Sequence, residues 1–291
     1  MQLVFHAGVH FTQAARLMGC LEANSDLLHA RDVHVPKQAA YRQRFRELFG
    51  DMGASAALEH QAAAVLAAIM GEAQATRILL SNTHFFGVPR AALRRGVLYP
   101  KAAERMGYLS RLFHGHDVRL CLAIKNPALY LPECYEQSPH DTADGFMDDV
   151  DPRAIRWSET LAAIREAAPQ APITVWCNED APLIWPRIIR EIAGLPPGTP
   201  VAGAFDLATA IMTDEGQHRF LSHIDDHPDL SEAQQMQVMI EHLEQFAREE
   251  AVEETISFGD WTADTIDELT ALYDEDVAAI ARIPGVEVIA P

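Results

Sequence analysis

The chain has 291 residues, which is enough for one large α/β domain with its own core or for two small ones. No apolar run reaches the length of a membrane-spanning helix, so no membrane partner is expected. The net charge of −19 argues against nucleic acid as a partner. The first residues lack the features of a signal peptide and the four cysteines lack a paired spacing, so a cytoplasmic protein with buried, reduced cysteines is expected.

The charge is unevenly distributed along the sequence. Residues 77–125 carry nine basic and two acidic side chains, whereas residues 126–291 carry eight basic and 33 acidic ones. A basic segment inside an acidic chain can concentrate the electrostatic field on an anion. The alternative is that these arginines form a solvated helix face.

The first predicted element is a strand over Gln2–His6. It is followed by a glycine-containing loop and by a helix with apolar residues at helical spacing, for which Thr12 is the predicted N-cap. The order strand, glycine loop, helix aims backbone N–H groups and a helix N-terminus at an anion.

Apolar runs and helical periodicity continue this alternation along the rest of the chain. Further strands are predicted at 77–80, 118–124 and 173–177, with short apolar pieces at 33–35 and 285–289. Helices are predicted at about 38–49, 54–72, 101–113, 157–168 and 182–194. From about residue 204 the chain is acidic and helical, with segments near 204–225, 231–254 and 263–282, while 138–152 reads as a loop.

This alternation predicts a three-layer α/β fold with helices on both faces of a mostly parallel sheet of about four to five strands. We expect one domain over residues 1–291, in which the acidic helices from about residue 200 could form a subdomain. Polar clusters follow three of the strands, at 81–84, 125–127 and 178–180. Ligands of open α/β sheets bind at those strand ends.

Three segments in order resemble the P-loop sulfotransferases that use the sulfate donor PAPS, above all their divergent bacterial members. They are residues 6–16 (HAGVHFTQAAR), residues 79–85 (LLSNTHF) and residues 124–137, which begin Ile-Lys-Asn-Pro. The resemblance implies a P-loop-type fold, PAPS or its product PAP as the bound nucleotide, and no metal. It also implies that the donor is held by His6, Gly8, Val9, Thr12, Gln13, Arg16 and Lys125.

The chain departs from this family at several positions that carry chemistry. Phe11 stands where the family has its catalytic lysine, and Gln13 replaces the following glycine. Thr83 stands where related members often carry a glutamate, and Glu133 falls where a serine usually contacts the 3′-phosphate. Lys125 replaces an arginine, which keeps the charge but loses the bidentate fork.

Two histidines could take over the missing catalytic roles. His84 lies next to the usual position of the base, has a suitable intrinsic pKa, and could otherwise be a hydrogen-bonded packing residue. His10 is the second catalytic candidate, as a source of charge neutralisation in the loop. The pair His6 and His10, with His114 and His116, could instead bind a metal, although no third ligand lies at a diagnostic spacing.

Two functions from different classes therefore stay open. The first is an enzyme that transfers a sulfuryl group from PAPS to a small-molecule or glycan acceptor through a reworked site. The second is a catalytically inactive descendant that acts as a binding or partner-interaction module. The predicted ligand in both cases is an anionic, nucleotide-type small molecule, and the sequence leaves homo-oligomerisation open.

Overall fold

A computed structural model describes residues 1–52, 58–252 and 256–291. It is an α/β fold whose central sheet has six parallel strands in the order β2-β3-β1-β6-β7-β8. These strands are β1 (Gln2–His6), β2 (Val33–His34), β3 (Arg77–Ser81), β6 (Asp117–Ile124), β7 (Ile173–Cys177) and β8 (Val286–Ile289). A separate antiparallel hairpin pairs β4 (Leu93–Arg94) with β5 (Val97–Leu98).

The sheet has six strands and not the predicted four to five, because one short strand is added at each edge. β2 pairs with β3 through two residues, and β8 pairs with β7 along Val286–Ile289. The central strands β1, β3, β6 and β7 match the predicted apolar runs to within one residue at each end. Such runs are typical of parallel strands that are covered on both faces.

Helices cover both faces of this sheet. The first seven are α1 (Ala14–Ala23), α2 (Ser25–His29), α3 (Gln38–Gly50), α4 (Leu58–Met70), α5 (Ala102–Leu112), α6 (Pro127–Glu136) and α7 (Ala143–Met147). The remaining ones are α8 (Trp157–Ala167), α9 (Ala181–Ala193), α10 (Asp206–Ala210), α11 (Asp214–Asp226), α12 (Glu232–Phe246), α13 (Glu249–Val252) and α14 (Ala263–Ile280). The predicted helix 54–72 is described from Leu58 onward, and its first residues lie outside the described part.

The apolar side chains form a large core on one face of the sheet and a smaller core on the other. The large core holds residues of α3, α4, α5, α6, α8 and α14. The small core holds residues of α1, α2 and α9, with Trp185 fully buried at its centre.

The acidic helices from α10 onward have a small apolar cluster of their own. Phe220 and Met239 lie in it, and Leu183 of α9 packs against it. The predicted helix 204–225 is in fact two helices, because the chain turns at Met212, which forms an isolated antiparallel bridge with Ala247. The predicted helix 231–254 ends as α12 at Phe246, and its last two residues lie outside the described part.

Strand β1 lies at the point where the order of strands in the sheet changes side. The chain places β2 and β3 on one side of β1 and then β6, β7 and β8 on the other. Strand β1 leads into α1 on the small-core face, whereas its neighbours β3 and β6 lead into helices on the large-core face. Such a change of side opens a crevice beyond the carboxyl ends of the strands, where open α/β sheets bind ligands. The loop of residues 7–13 and the polar residues after β3 and β6 follow the carboxyl ends of three adjacent strands.

Several global features bear on the predicted class of site. Within the described residues, no helix is both long and apolar enough to cross a membrane. The same part of the chain contains no group of three His, Cys, Asp or Glu side chains that could hold a metal ion. All four cysteines are buried and unpaired.

Candidate functional site

The first loop leaves the sheet directly after Ala7, whose N–H donates to the Cys121 carbonyl at 3.1 Å. Gly8 follows with a φ of +44°, in the left-handed region that favours glycine. A Cβ atom at Gly8 would lie 3.1 Å from the methyl carbon of Thr83. The glycine therefore lets the loop pass close to the end of β3.

Replacing Gly8 by alanine is expected to destabilise the protein by about 1–2 kcal/mol, because the change combines a positive φ with a close contact. The matched control is Gly19→Ala within α1, where a Cβ would meet nothing within 4 Å. That control is expected to stabilise the protein by about 0.5–1 kcal/mol through helix propensity. Urea unfolding of both variants measures the difference, and equal stabilities would contradict the geometry of the loop.

His6, predicted to hold the donor, is buried inside the sheet. Its Nδ1 lies 2.8 Å from the Ser81 hydroxyl, and its ring stacks on Trp176 with 5.8 Å between the centroids. Burial lowers the pKa of His6 to about 4, so its imidazole is neutral at neutral pH. His6 thus holds the ends of β1 and β3 together and supplies no positive charge.

His10 is hydrogen-bonded to one of a pair of linked tyrosine hydroxyl groups, which were not predicted as part of the site. The Tyr99 hydroxyl accepts from the His10 backbone N–H at 3.0 Å and from the Tyr130 hydroxyl at 2.8 Å. Its own proton is therefore left for His10 Nδ1, which lies 2.6 Å away. This network assigns the ring hydrogen of the neutral imidazole to Nε2.

The Nε2–H group of His10 is an unsatisfied donor. His10 is 6% exposed, and its Nε2 has no hydrogen-bond partner among the described residues. Burial, followed by the nearby His84, lowers the pKa of His10 to about 4. A buried donor without an acceptor costs about 1–3 kcal/mol, so this atom is better satisfied by a bound acceptor group than by the protein alone.

The start of α1 differs from the prediction at Thr12. The structure places Gln13, and not Thr12, at the N-cap position, with no side-chain cap. The Thr12 hydroxyl instead donates to the Val9 carbonyl at 2.7 Å, which closes the loop on itself. The backbone N–H groups of Phe11 and Gln13 donate to no acceptor in the described part of the chain.

Phe11 adopts a φ of +62°, which is uncommon for a residue with a side chain. Its half-buried ring packs on the large core. The centroid of this ring lies 6.2 Å from the ring centroid of His10 and 6.2 Å from that of Tyr130. Arg16 lies exposed one turn into α1 and forms no ion pair with any described residue. It is a cation at the same helix end as the unpaired amides.

Lys125 is buried at the end of β6. Its ammonium group pairs with the Glu133 carboxylate at 2.9 Å, and its carbonyl accepts the indole N–H of Trp157 at 2.8 Å. Asn126 follows as the N-cap of α6, where its side chain accepts from the Ala128 N–H. The charge of Lys125 is thus compensated within the protein.

His84 lies on the segment after β3, and its ring centroid is 5.2 Å from that of His10. Its backbone N–H donates to the Asn82 side-chain oxygen at 3.0 Å. Burial, and then the positive charge of Arg42, lower the pKa of His84. His84 lines a cavity of about 890 Å³, so it stands between this cavity and the first loop.

The structure brings only some of the predicted site residues together. His10 and His84 meet, and Gly8, Val9, Thr12 and Gln13 form the loop beside them. His6 and Lys125 are engaged with other partners. Tyr99 and Tyr130 were missed because their contacts span 89 and 31 residues, which no local pattern signals.

Comparisons of the chain with protein-family models, with curated proteins and with solved structures found no match.

Proposed function

We propose that this protein is a sulfotransferase-like protein of the P-loop type that binds PAPS or PAP on the first loop and transfers the sulfuryl group to an acceptor in the neighbouring cavity. The observation that carries the proposal is the set of unsatisfied donors at this loop. Among the described residues, the His10 Nε2–H and the amides of Phe11 and Gln13 at the N-terminus of α1 have no acceptor. Donors at a helix N-terminus are suited to phosphate or sulfate oxygens.

The position of this loop adds a second support. It follows the carboxyl end of β1, where the order of strand addition changes side, and ligands of open α/β sheets bind at such positions. The order strand, glycine-containing loop, helix is the one that the resemblance to sulfotransferases implies. The exposed Arg16 places a positive charge at the same end of α1.

The chemistry of transfer assigns a role to His84. The acceptor hydroxyl attacks sulfur, the bond between sulfur and the 5′-phosphate oxygen breaks, and His84 takes the proton of the hydroxyl. The lowered pKa of His84 keeps its imidazole neutral, as a general base must be. The His10 Nε2–H and the loop amides would stabilise the negative charge on the leaving phosphate.

A catalytically inactive binding module is the second candidate, and two observations favour it. Phe11 leaves the loop without a lysine, and Lys125 already pairs with Glu133. Losing one preorganised charge donor typically costs about 10²–10³ in rate. In this case PAP would bind without turnover of PAPS.

Thermal unfolding in the presence of PAP tests the binding part of this proposal. Binding to the folded state at 100 times the Kd stabilises it by about 2.7 kcal/mol, so we expect a rise of several degrees in Tm. Arg16→Gln is expected to weaken PAP binding by about tenfold, because one charge-assisted contact is lost. Arg31→Gln, another exposed arginine, is the matched control. No shift in Tm at millimolar PAP would remove the donor site.

Formation of PAP from PAPS, followed by chromatography, separates the two candidate functions. An active enzyme is expected to lose about 10²–10⁴ in rate in the His84→Gln variant, which removes the base, and to retain its affinity for PAP. Binding of PAP with no turnover by the unmodified protein would identify the inactive module.

A further inference from the structure

A basic cavity lies beside the first loop, between α3, the segment after β3 and the start of α5. Its volume of about 890 Å³ is within the range of pockets that bind small molecules. No Asp or Glu is among the described residues that line it. Its five cationic residues are Arg42, Arg46, Arg94, Lys101 and Arg105.

Most of these cations have no carboxylate partner. Lys101 pairs with Glu104 at 2.9 Å, but Arg42, Arg46 and Arg94 form no ion pair within the described part of the chain. Four guanidinium groups thus line one cavity without a carboxylate among its described lining residues, which favours an anionic ligand there.

Arg105 is held in place as part of the cavity wall. Its Nη1 donates to the Phe85 carbonyl at 2.8 Å, and its guanidinium carbon lies 4.7 Å from the centroid of the Phe49 ring. Its Nε is buried with no partner among the described residues. Burial also lowers the pKa of Arg105, although an arginine remains charged at neutral pH. The protein thus keeps a partly desolvated positive charge with an unused donor.

The rest of the wall is apolar and aromatic. Phe45, Phe49 and Phe86 line the cavity, together with Ala39 and Ala91. Phe45 and Phe86 belong to the large core, which fixes their positions. Aromatic walls of this kind contact flat, apolar groups, whereas the arginines match the geometry of phosphate and carboxylate groups.

We infer that this cavity binds a small organic oxyanion, in which a phosphate or carboxylate group is attached to an apolar, ring-containing body. The charged group would contact the arginines of α3 and Arg105, and the body would lie against the phenylalanines. The inference that such a molecule binds depends only on the cavity. That the bound molecule is also the acceptor of the sulfuryl group rests on the proposed function, and His84 in the cavity wall supports that role.

Calorimetric titration with 2-naphthyl phosphate tests the inference at low salt. We expect this probe to bind at least tenfold more tightly than neutral 2-naphthol and more tightly than inorganic phosphate, because only the naphthyl ester uses both parts of the cavity. The Arg42→Gln/Arg46→Gln double variant is expected to weaken binding by tenfold or more. Added salt is expected to weaken it too.

The control is Arg44→Gln, which removes one positive charge from the same helix outside the cavity lining. Affinity in this variant is expected to stay within about twofold of the unmodified protein. Equal affinity for 2-naphthyl phosphate and 2-naphthol, no binding at millimolar probe, or an equal loss in Arg44→Gln would overturn the inference.

The same variants distinguish this inference from the proposed function. The Arg42→Gln/Arg46→Gln variant is expected to keep the Tm shift caused by PAP, and Arg16→Gln is expected to keep its affinity for 2-naphthyl phosphate. Loss of naphthyl phosphate binding in Arg16→Gln would place the probe at the first loop and overturn the assignment to the cavity. PAP binding without probe binding would overturn the inference and leave the proposed function standing.

Discussion

Replacing Asp276 by alanine is expected to destabilise the protein by about 3 kcal/mol, since a buried carboxylate with several donors is lost. Asp276 lies on α14 and is 4% exposed. Its Oδ2 accepts the backbone N–H of Trp157 at 2.6 Å and that of Ser158 at 3.2 Å, while its Oδ1 accepts the Ser158 hydroxyl. One helix thus caps the N-terminus of another, where a negative charge is also favoured by the helix dipole.

Urea unfolding of Asp276→Ala measures this contribution, with Glu275→Ala as the control. Glu275 is exposed on the same helix, so its loss is expected to change the stability by at most about 0.5 kcal/mol. Asp276→Asn keeps an acceptor oxygen and should unfold at an intermediate urea concentration, which provides a measurement if the alanine variant does not fold. Equal stabilities of Asp276→Ala and Glu275→Ala would contradict the capping role.

The stability of the protein is expected to fall as the pH is lowered from 6.5 to 4. Above pH 6.5, His6 and His10 are neutral in both the folded and the unfolded chain. Below it, each gains a proton in the unfolded chain but stays neutral in the fold, because burial lowers each pKa from 6.5 to about 4. By linkage, each histidine then costs about 2 kcal/mol of stability at pH 5 and about 3 kcal/mol by pH 4.

Urea unfolding at pH 7 and pH 5 checks this expectation. In His6→Gln the loss of stability between the two pH values should be smaller than in the unmodified protein by about 2 kcal/mol. His218→Gln, on the exposed side of α11, should show the pH dependence of the unmodified protein. An unchanged pH dependence in His6→Gln would mean that His6 is protonated in the fold.

The central strands could be predicted from sequence because short apolar runs followed by polar turn residues are typical of buried, parallel strands. The edge strands β2 and β8 coincide with the short apolar pieces at 33–35 and 285–289, but their pairing could not be predicted because it depends on a neighbouring strand that forms elsewhere in the chain. The helix α6 was also missed, because Pro132 inside it interrupts the helical pattern.

The same distinction applies to the candidate site. The glycine loop and the basic segment predicted an anion site, which stays a prediction. Arg94, Lys101 and Arg105 of the proposed oxyanion cavity come from that segment. Arg42 and Arg46 complete the cavity from α3, and their spacing of four residues on a helix was a usable signal. The hydrogen bonds of Tyr99 were not predictable, since they join it to residues 89 and 31 positions away in the chain.

The single hydroxyl group of Tyr99 has a consequence for communication between the two proposed binding places. It touches the amide and ring of His10, and Tyr99 directly follows the hairpin that presents Arg94 to the cavity. A movement of the hairpin on occupation of the cavity would therefore reach the His10 imidazole, next to the loop for which we propose PAP binding. By thermodynamic reciprocity, PAP and the oxyanion in the cavity would then each alter the affinity of the protein for the other by the same factor. Titration of each ligand in the presence and absence of the other would measure that factor.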